Sequence, residues 1–476
     1  MSKCADEHQV KEKLGQLRCH FTWQLLIEDS EVSDLEERIS EEILFLETSY
    51  NVGIHNLLAY VKHLQGKNED ALECLKEGEN LCRTDQADEP DVRSLVTWGN
   101  YAWVYYHMGR WEDTQKYLDK VQEICKRFDD SSCYRVECPE MDCVEGWALL
   151  KCGIKHYERA KACFQKALEV DPENPEFNTG YAIVTYRLDY SARCDICDGL
   201  SLPPLRKAIS LNPQDGYLKA LLALKLQDMG EEAEGEKYLE EALSHGSSQT
   251  YVFRYAAKFY RRQGRIDEAL MYLKKALKAT PKSAFLHHQM GLCYRDQMIQ
   301  IKKSSNRQPR DQSRRDVDRL IRLAIDKFQT ATTLKPMFEI AYVHLARTYI
   351  KAGDNEKAED IFQKVLHMTP AQKSILQSIH FYYAQFLQVQ KQSEVDAIEH
   401  YLKVIDVGKK SFISGRSIDA LNQLFSERPE RNASDPVGLK LRELMNKWEE
   451  VKKNLGCNEQ ALAADNDYDN DMDFGL

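Results

Sequence analysis

The chain has 476 residues with a formal net charge of −11, and 43% of them are hydrophobic, a balance that excludes wholesale disorder. The low content of glycine (22) and proline (13) disfavours a turn-rich all-β fold. The N-terminus is charged and has no apolar segment of a secretory signal, and no run of about 18 apolar residues predicts a membrane helix. We therefore expect a cytosolic protein with no membrane partner.

A frame of small, large and small residues followed by proline recurs along the chain. Its four copies are Ala160-Phe164-Ala167-Pro172, Ala269-Leu273-Ala276-Pro281, Ala324-Phe328-Ala331-Pro336 and Ala358-Phe362-Val365-Pro370. Small residues let two helices approach each other, the large residue fills the gap, and proline ends the second helix. This frame is typical of tetratricopeptide repeats. Together with weaker copies between them, the four copies predict an all-α superhelical solenoid of about nine helix pairs that encloses a basic central channel.

The pattern divides the chain into four segments. We expect N-terminal helices that close the channel (1–50), a first repeat superhelix (51–248), a second superhelix (249–410), and an atypical helix with a disordered acidic tail (411–476). Insertions interrupt the period at 189–203 and 299–319. The second insertion is basic, and charge runs of this kind usually form a solvated loop or a helix extension. Its cations are Lys302, Lys303, Arg307, Arg310, Arg314, Arg315 and Arg319.

The 14 cysteines suggest neither disulfides nor a metal site. Cys194 and Cys197 form the one CxxC pair, and Cys133, Cys138 and Cys143 lie close together in the sequence, whereas a zinc site usually shows two such pairs. Reduced loop and core thiols are therefore favoured over a zinc-dependent enzyme. The sequence contains no GxxxxGK[ST], GxSxG or HExxH motif, so we expect no catalysis and no cofactor.

Aromatic or apolar side chains and cations recur together at helical spacing. Trp147 precedes Lys151 by four residues, and Ile183 precedes Arg187 by the same interval, so each pair shares a helix face. The other stripes are Tyr251, Arg254, Tyr255, Lys258 and Arg261; Phe285, His288 and Gln289; and Arg38, Glu42 and Leu46. Lining one channel, the cations would follow phosphates while the rings stack on bases. Two alternatives stay open, because aromatic residues on repeat helices often form core and because such a groove also suits peptides.

Longer runs resemble one known family. They are CHFTW (19–23), HNLLAYVKHL (55–64), VRSLVTWGN (92–100), EGWALLKCG (145–153), LLALKLQD (221–228), EAEGEKY (232–238), YAAKFYRR (255–262) and HHQMGLCYR (287–295). From about residue 8 to 405 the chain resembles the interferon-induced proteins with tetratricopeptide repeats, and most closely their cap-binding branch. The resemblance implies an antiviral effector of innate immunity that sequesters single-stranded RNA with a 5′-triphosphate or a cap lacking 2′-O-methylation, and so inhibits translation of viral RNA.

The resemblance also implies site residues and partners. The implied contacts to the RNA 5′ end and the cap are Arg38, Glu42, Leu46, Thr48, Trp147, Lys151, Tyr157, Glu176, Ile183 and Arg187. The implied contacts to the following nucleotides are Tyr251, Arg254, Tyr255, Lys258, Arg261, His288, Gln289 and Lys335. Expected partners are RNA 5′ ends, paralogous family members and the translation initiation machinery, but not DNA. The alternative is a tetratricopeptide adaptor that binds protein partners, such as paralogues, with little RNA affinity.

Two features depart from the family pattern. Position 42 is polar and uncharged in the cap-binding branch, whereas Glu42 would repel a triphosphate unless Arg38 pairs with it. Beyond about residue 410 the Tyr-x3-Leu self-association motif is missing, and a helix-like stretch (438–455) and the acidic tail stand in its place. The oligomeric state and the preference between cap-0 and triphosphate ends therefore stay open.

Overall fold

The computed structural model describes residues 2–45, 51–84, 92–127, 134–191, 199–244, 250–304, 311–368, 373–408 and 411–426, together with Glu443 and Asn446. Within these ranges every regular element is helical. The all-α tetratricopeptide architecture expected from the sequence is confirmed. The chain divides into two compact units, with the boundary between Tyr255 and Ala256.

The first unit contains twelve α-helices and the start of a thirteenth within its described residues. They are α1 (Ser2–Gln16), α2 (Asp29–Phe45), α3 (Asn51–Leu64), α4 (Asn68–Thr84), α5 (Arg93–His107), α6 (Trp111–Cys125), α7 (Pro139–Lys151), α8 (Tyr157–Val170), α9 (Pro175–Ser191), α10 (Leu202–Leu211), α11 (Gly216–Asp228) and α12 (Glu232–Ser244). From α3 onward they pack as consecutive pairs, α3 with α4 through α11 with α12.

The helix α13 (Thr250–Arg262) begins in the first unit and ends in the second. The second unit continues with α14 (Ile266–Ala279), α15 (Ala284–Ser304), α16 (Asp311–Leu334), α17 (Glu339–Ala352), α18 (Asn355–Leu366), α19 (Lys373–Phe386), α20 (Glu394–Asp406) and α21 (Phe412–Ser426). Here α15 packs with α16, α17 with α18, and α19 with α20.

The helices begin and end at residues suited to those positions. Proline opens both α7 and α9, where its missing N–H is not needed and its fixed φ suits the first turn. The Asp215 carboxylate accepts hydrogen bonds from two backbone N–H groups in the first turn of α11, which satisfies donors that have no partner within the helix. Gly353 ends α17 with φ of +81°, a left-handed conformation that glycine adopts without a Cβ clash.

The large residue of each repeat fills the space between helices because a small residue faces it. Phe164 of α8 is fully buried, and a Cβ on Gly180 of α9 would overlap its ring, while a Cβ on Gly146 of α7 would lie 3.0 Å from it. Phe328 of α16 is seated in the same way against Gly291 of α15. The spacing of the helices that carry the candidate site is therefore set by these contacts.

The basic insertion is a helix extension for most of its length. The helix α15 continues to Ser304 and α16 starts at Asp311, so of the two forms expected for residues 299–319 the extension is the one observed. The CxxC pair and Cys133 lie outside the described residues, as do the stretch 438–455 apart from Glu443 and Asn446, and the acidic tail. The four-segment division of the chain stays a prediction.

Candidate nucleic-acid interface

A group of charged side chains from three helices meets in the first unit. Glu42 on α2 forms an ion pair with Lys151 at the end of α7, and the two side chains are only 8% and 14% exposed. Burial lowers the pKa of Lys151, the Glu42 carboxylate opposes that shift, and the positive charges of Arg187 and Arg38 add to it. Three cations and one carboxylate therefore interact electrostatically at one place, and we call them the phosphate cluster.

Arg38 has a different carboxylate partner from the one considered in the sequence. Its Nε atom lies 3.1 Å from the Asp34 carboxylate, one turn earlier on α2. Glu42, one turn later on the same helix, is paired with Lys151 instead. The neutralising partner of Glu42 is thus a cation 109 residues away in sequence. Both carboxylates on this face of α2 are engaged by cations of the phosphate cluster.

Arg187 lies among aromatic hydroxyls. Its guanidinium carbon is 5.8 Å from the centre of the Tyr157 ring. Burial works against its charge, but Tyr157, Tyr217 and Tyr255 together hold the pKa of Arg187 well above its usual value. Tyr217 also makes a side-chain hydrogen bond with Arg187. Sequence reasoning missed Tyr217, although its place in the first turn of α11, after the Asp215 cap, was a usable signal.

Trp147 stands one turn before Lys151 on α7. Its ring meets the buried Phe164 ring edge-on with centroids 5.4 Å apart. The residue is half-buried, and its indole Nε1 is shielded from solvent without a hydrogen-bond partner among the described residues. A buried N–H of this kind is costly unless it is satisfied. The ring therefore rests on repeat core on one side and still retains accessible surface.

The other predicted cap residues fall on α9 or outside the described residues. Glu176 is half-buried in the first turn of α9, and Ile183 is 4% exposed one turn before Arg187. Leu46 and Thr48 lie outside the described residues, so the structure places neither.

An ion network centred on the buried Arg18 and Asp142 holds α7 in place. The Arg18 guanidinium, which follows α1, lies 2.9 Å from Glu137, 2.7 Å from Asp142 and 2.9 Å from Glu145. Lys166 of α8 lies 3.1 Å from the same Asp142. Asp142 and Glu145 belong to the helix that carries Trp147 and Lys151, so this network orients that helix. Sequence reasoning missed Arg18, which belongs to no stripe.

The stripe on α13 carries cations with close aromatic or acidic neighbours. In the first unit the Arg254 guanidinium carbon is 5.7 Å from the Tyr255 ring centre, and Tyr251 and Tyr255 both contact the Tyr217 ring. In the second unit Lys258 is 8% exposed and Arg261 Nη1 lies 2.7 Å from an Asp296 carboxylate oxygen. Arg295 shares Asp296 at 3.1 Å.

The remaining predicted contacts belong to the second unit. His288 Nε2 is 2.8 Å from His344 Nδ1, and its ring packs against Phe328 and Phe338 with only 4% exposure. Gln289 is also buried, at 7% exposure, while the Lys335 ammonium lies 5.5 Å from the Phe338 ring centre. His288 is thus a packing residue of its repeat, whatever ligand it contacts.

Models of the tetratricopeptide repeat match residues 153–174, 218–284 and 341–375. The antiviral innate immune response effector IFIT1 of Macaca fascicularis is 58% identical, over all of both chains. The human protein IFIT1 homolog B is 56% identical over 97% of this chain and 98% of its own. The chain belongs to the interferon-induced proteins with tetratricopeptide repeats. Human interferon-induced protein with tetratricopeptide repeats 2, a more distant relative, is 40% identical over 99% of this chain and 97% of its own.

Solved structures of the same family share the architecture. The human IFIT1 dimer with m7Gppp-AAAA superposes with a TM-score of 0.83 at 55% identity, covering 94% of this chain and 96% of that one. The human IFIT1 dimer with PPP-AAAA gives 0.78 at 54% identity, with 94% and 98% covered. Within the described residues no group of His, Cys, Asp and Glu could hold a metal ion, and no helix there is long and apolar enough to cross a bilayer.

Proposed function

We propose that this family member is an antiviral RNA-binding protein that sequesters single-stranded RNA bearing a 5′-triphosphate or a cap without 2′-O-methylation, and thereby inhibits translation of viral RNA. The observation that carries the proposal is the phosphate cluster, in which Lys151, one turn after Trp147, pairs with Glu42 and interacts electrostatically with Arg38 and Arg187. An adaptor for protein partners has no need of three mutually repelling cations at one place. The high identity to IFIT1, whose human structures contain capped and triphosphate RNA, supports it further.

In this proposal the 5′ phosphates bind Arg38, Lys151 and Arg187, because charge-assisted hydrogen bonds to phosphate are strong. Trp147 stacks on the cap guanine, and Glu176 and Ile183, with Leu46 and Thr48, complete the cap pocket. Tyr157 and Arg187, which already contact each other, crowd the first ribose and leave no room for a 2′-O-methyl group.

The following nucleotides are proposed to lie along the channel lined by the stripe on α13 and by His288, Gln289 and Lys335. Tyr251, Arg254 and Tyr255 would meet the nearer nucleotides, and Lys258 and Arg261 the later ones. Rings that stack on bases without reading their edges tolerate any sequence, which suits a protein that recognises RNA ends. The ion pair of Arg261 with Asp296 predicts moderate affinity for that contact.

The proposal is tested by an electrophoretic shift with RNAs of one sequence and four 5′ ends: triphosphate, cap-0, cap-1 and hydroxyl. We expect tight binding of the first two and weak binding of the last two. Equal binding of all four would contradict recognition of the end. No binding of any, with retained capture of paralogues, would favour the adaptor instead. A translation assay with cap-0 and cap-1 messages then tests inhibition in the cytosol, including the expected contact with the initiation machinery.

A further inference from the structure

The C-terminal end of α15 and the N-terminal half of α16 form a cationic surface. We call it the basic hairpin and define it as residues 299–304 and 311–322. Six cations of these two stretches are exposed. They are Lys302, Lys303, Arg314, Arg315, Arg319 and Arg322. Three aspartates share the stretches, so their net charge is +3, in a chain whose total is −11. Positive charge is therefore concentrated in these stretches, although the chain as a whole is negatively charged.

The basic hairpin is packed on a small apolar core. Beneath the cations, Met298 of α15 packs with Val317, Leu320 and Ile321 of α16 in a buried cluster. Arg315, Arg319 and Arg322 recur at i, i+4 and i+7, so they share one face of α16. Cations on fixed helices lose less conformational freedom on binding than cations on a flexible loop.

A single helix joins this surface to the proposed RNA path. The helix α15 carries His288 and Gln289 in its second turn and Lys302 and Lys303 in its last. Fourteen residues separate His288 from Lys302, which is about 21 Å at 1.5 Å per residue. An RNA that contacts the start of α15 is thus within a few nucleotides of the cations at its end.

We propose that the basic hairpin binds the phosphate backbone of the RNA body, downstream of the nucleotides held with the 5′ end. This inference rests on the proposed function, because holding the 5′ end keeps the downstream phosphates at high effective concentration near the hairpin. Lysines and arginines that are exposed bind backbone phosphates without reading sequence. The hairpin therefore adds affinity for long RNAs and contributes nothing to the choice between kinds of 5′ end.

The test compares the intact protein with a variant carrying Lys302→Gln, Lys303→Gln, Arg315→Gln and Arg319→Gln. Each is titrated with triphosphate RNA of about four and of about 30 nucleotides, because only the longer RNA reaches both sites. We expect affinity for the long RNA to fall by tenfold or more and affinity for the short RNA to stay unchanged. Each lost phosphate contact lowers the slope of log K against log salt by about 0.7, so the long-RNA slope should fall by up to about 3.

A matched control removes four exposed lysines elsewhere in the second unit: Lys274→Gln, Lys278→Gln, Lys282→Gln and Lys373→Gln. It has the same net charge as the hairpin variant and should bind both RNAs as the intact protein does. Equal losses for both RNAs, equal losses in the control, or no loss at all would overturn the hairpin proposal. Failure of the proposed function is distinguishable, since the intact protein would then bind triphosphate and hydroxyl ends alike.

Discussion

Two repeats of the molecule pack a phenylalanine against a glycine in the same way. They differ in the aromatic ring that contacts this phenylalanine. In the first unit Phe164 packs on Gly180, and the ring that meets it, Trp147, remains half-exposed. In the second unit Phe328 packs on Gly291, and the ring that meets it, His288, is covered by His344.

The difference shows that the repeat frame fixes the spacing of the helices but does not fix whether the ring next to the core is covered or accessible. In the second unit a second ring closes the position, because His344 covers His288 and its Nδ1 lies 2.8 Å from His288 Nε2. In the first unit an indole N–H is left without a protein partner among the described residues. A position that keeps accessible surface and a covered core position therefore arise from one pattern of small and large residues.

The largest effect on stability is expected when the buried phenylalanine that both repeats share is removed. Phe164→Ala and Phe328→Ala should each cost about 3–5 kcal/mol of stability, because both rings are fully buried and leave a cavity. Of the two, Phe164→Ala should also weaken capped-RNA binding by more than it weakens triphosphate binding, since Trp147 rests on that ring. Chemical unfolding and RNA titration of both variants check this. Equal damage to cap selectivity in the two variants would show that the repeats are not used differently.

Removing the exposed ring should act on the ligand. Trp147→Ala should reduce capped-RNA binding by about 1–3 kcal/mol, the range for stacking of a base on an aromatic ring. Triphosphate RNA should lose less, because Lys151 and Arg187 remain. Affinities for both RNAs and the melting temperature are measured on the same variant. A large decrease in melting temperature with equal loss of affinity for both RNAs would show that Trp147 is a core residue.

Removing the covered ring should act on stability. His288→Ala leaves the buried His344 ring nitrogen without its partner, at a cost of about 1–3 kcal/mol. His287→Ala, at the half-buried neighbouring position, is the control and should cost less. Thermal unfolding measures both. An unchanged melting temperature for His288→Ala, with lost RNA binding, would make His288 a ligand contact like Trp147.

The smallest effect concerns the carboxylate in the phosphate cluster. Glu42→Gln should strengthen triphosphate binding by on the order of 1 kcal/mol. The reason is that the substitution removes the negative charge of the carboxylate paired with Lys151, which would repel the triphosphate. Without Glu42, burial should lower the pKa of Lys151 further. The variant should therefore lose phosphate affinity at a lower pH than the unaltered protein as pH rises. Affinities across an alkaline pH series check both statements, and weaker binding at neutral pH would contradict the first.

Local spacing in the sequence was enough to predict the helices and the pairs that lie on one helix. Trp147 and Lys151 share a face because they are four residues apart, and the small–large frame identified Phe164 and Phe328 as packing residues. Contacts between distant helices left no such signal. Glu42 meets Lys151 across 109 residues, Arg18 meets Asp142 across 124, and His288 meets His344 across 56. Tertiary packing decides these pairings, so the partner of Glu42 was open and the core role of His288 was hidden.

The ion pairs of Arg38 and Glu42 on α2 bear on how the proposed site would discriminate against free nucleotides and other small phosphate compounds. Lys151 and Arg38 each hold a carboxylate of the protein, Glu42 and Asp34, so an incoming phosphate has to displace an internal competitor. A free nucleotide offers a few charges and little else, so in the proposed function the internal carboxylates weaken its binding. An RNA end brings stacking and further backbone contacts on the same molecule. In the proposed function the site therefore favours ligands that engage several of its parts at once over small phosphate metabolites.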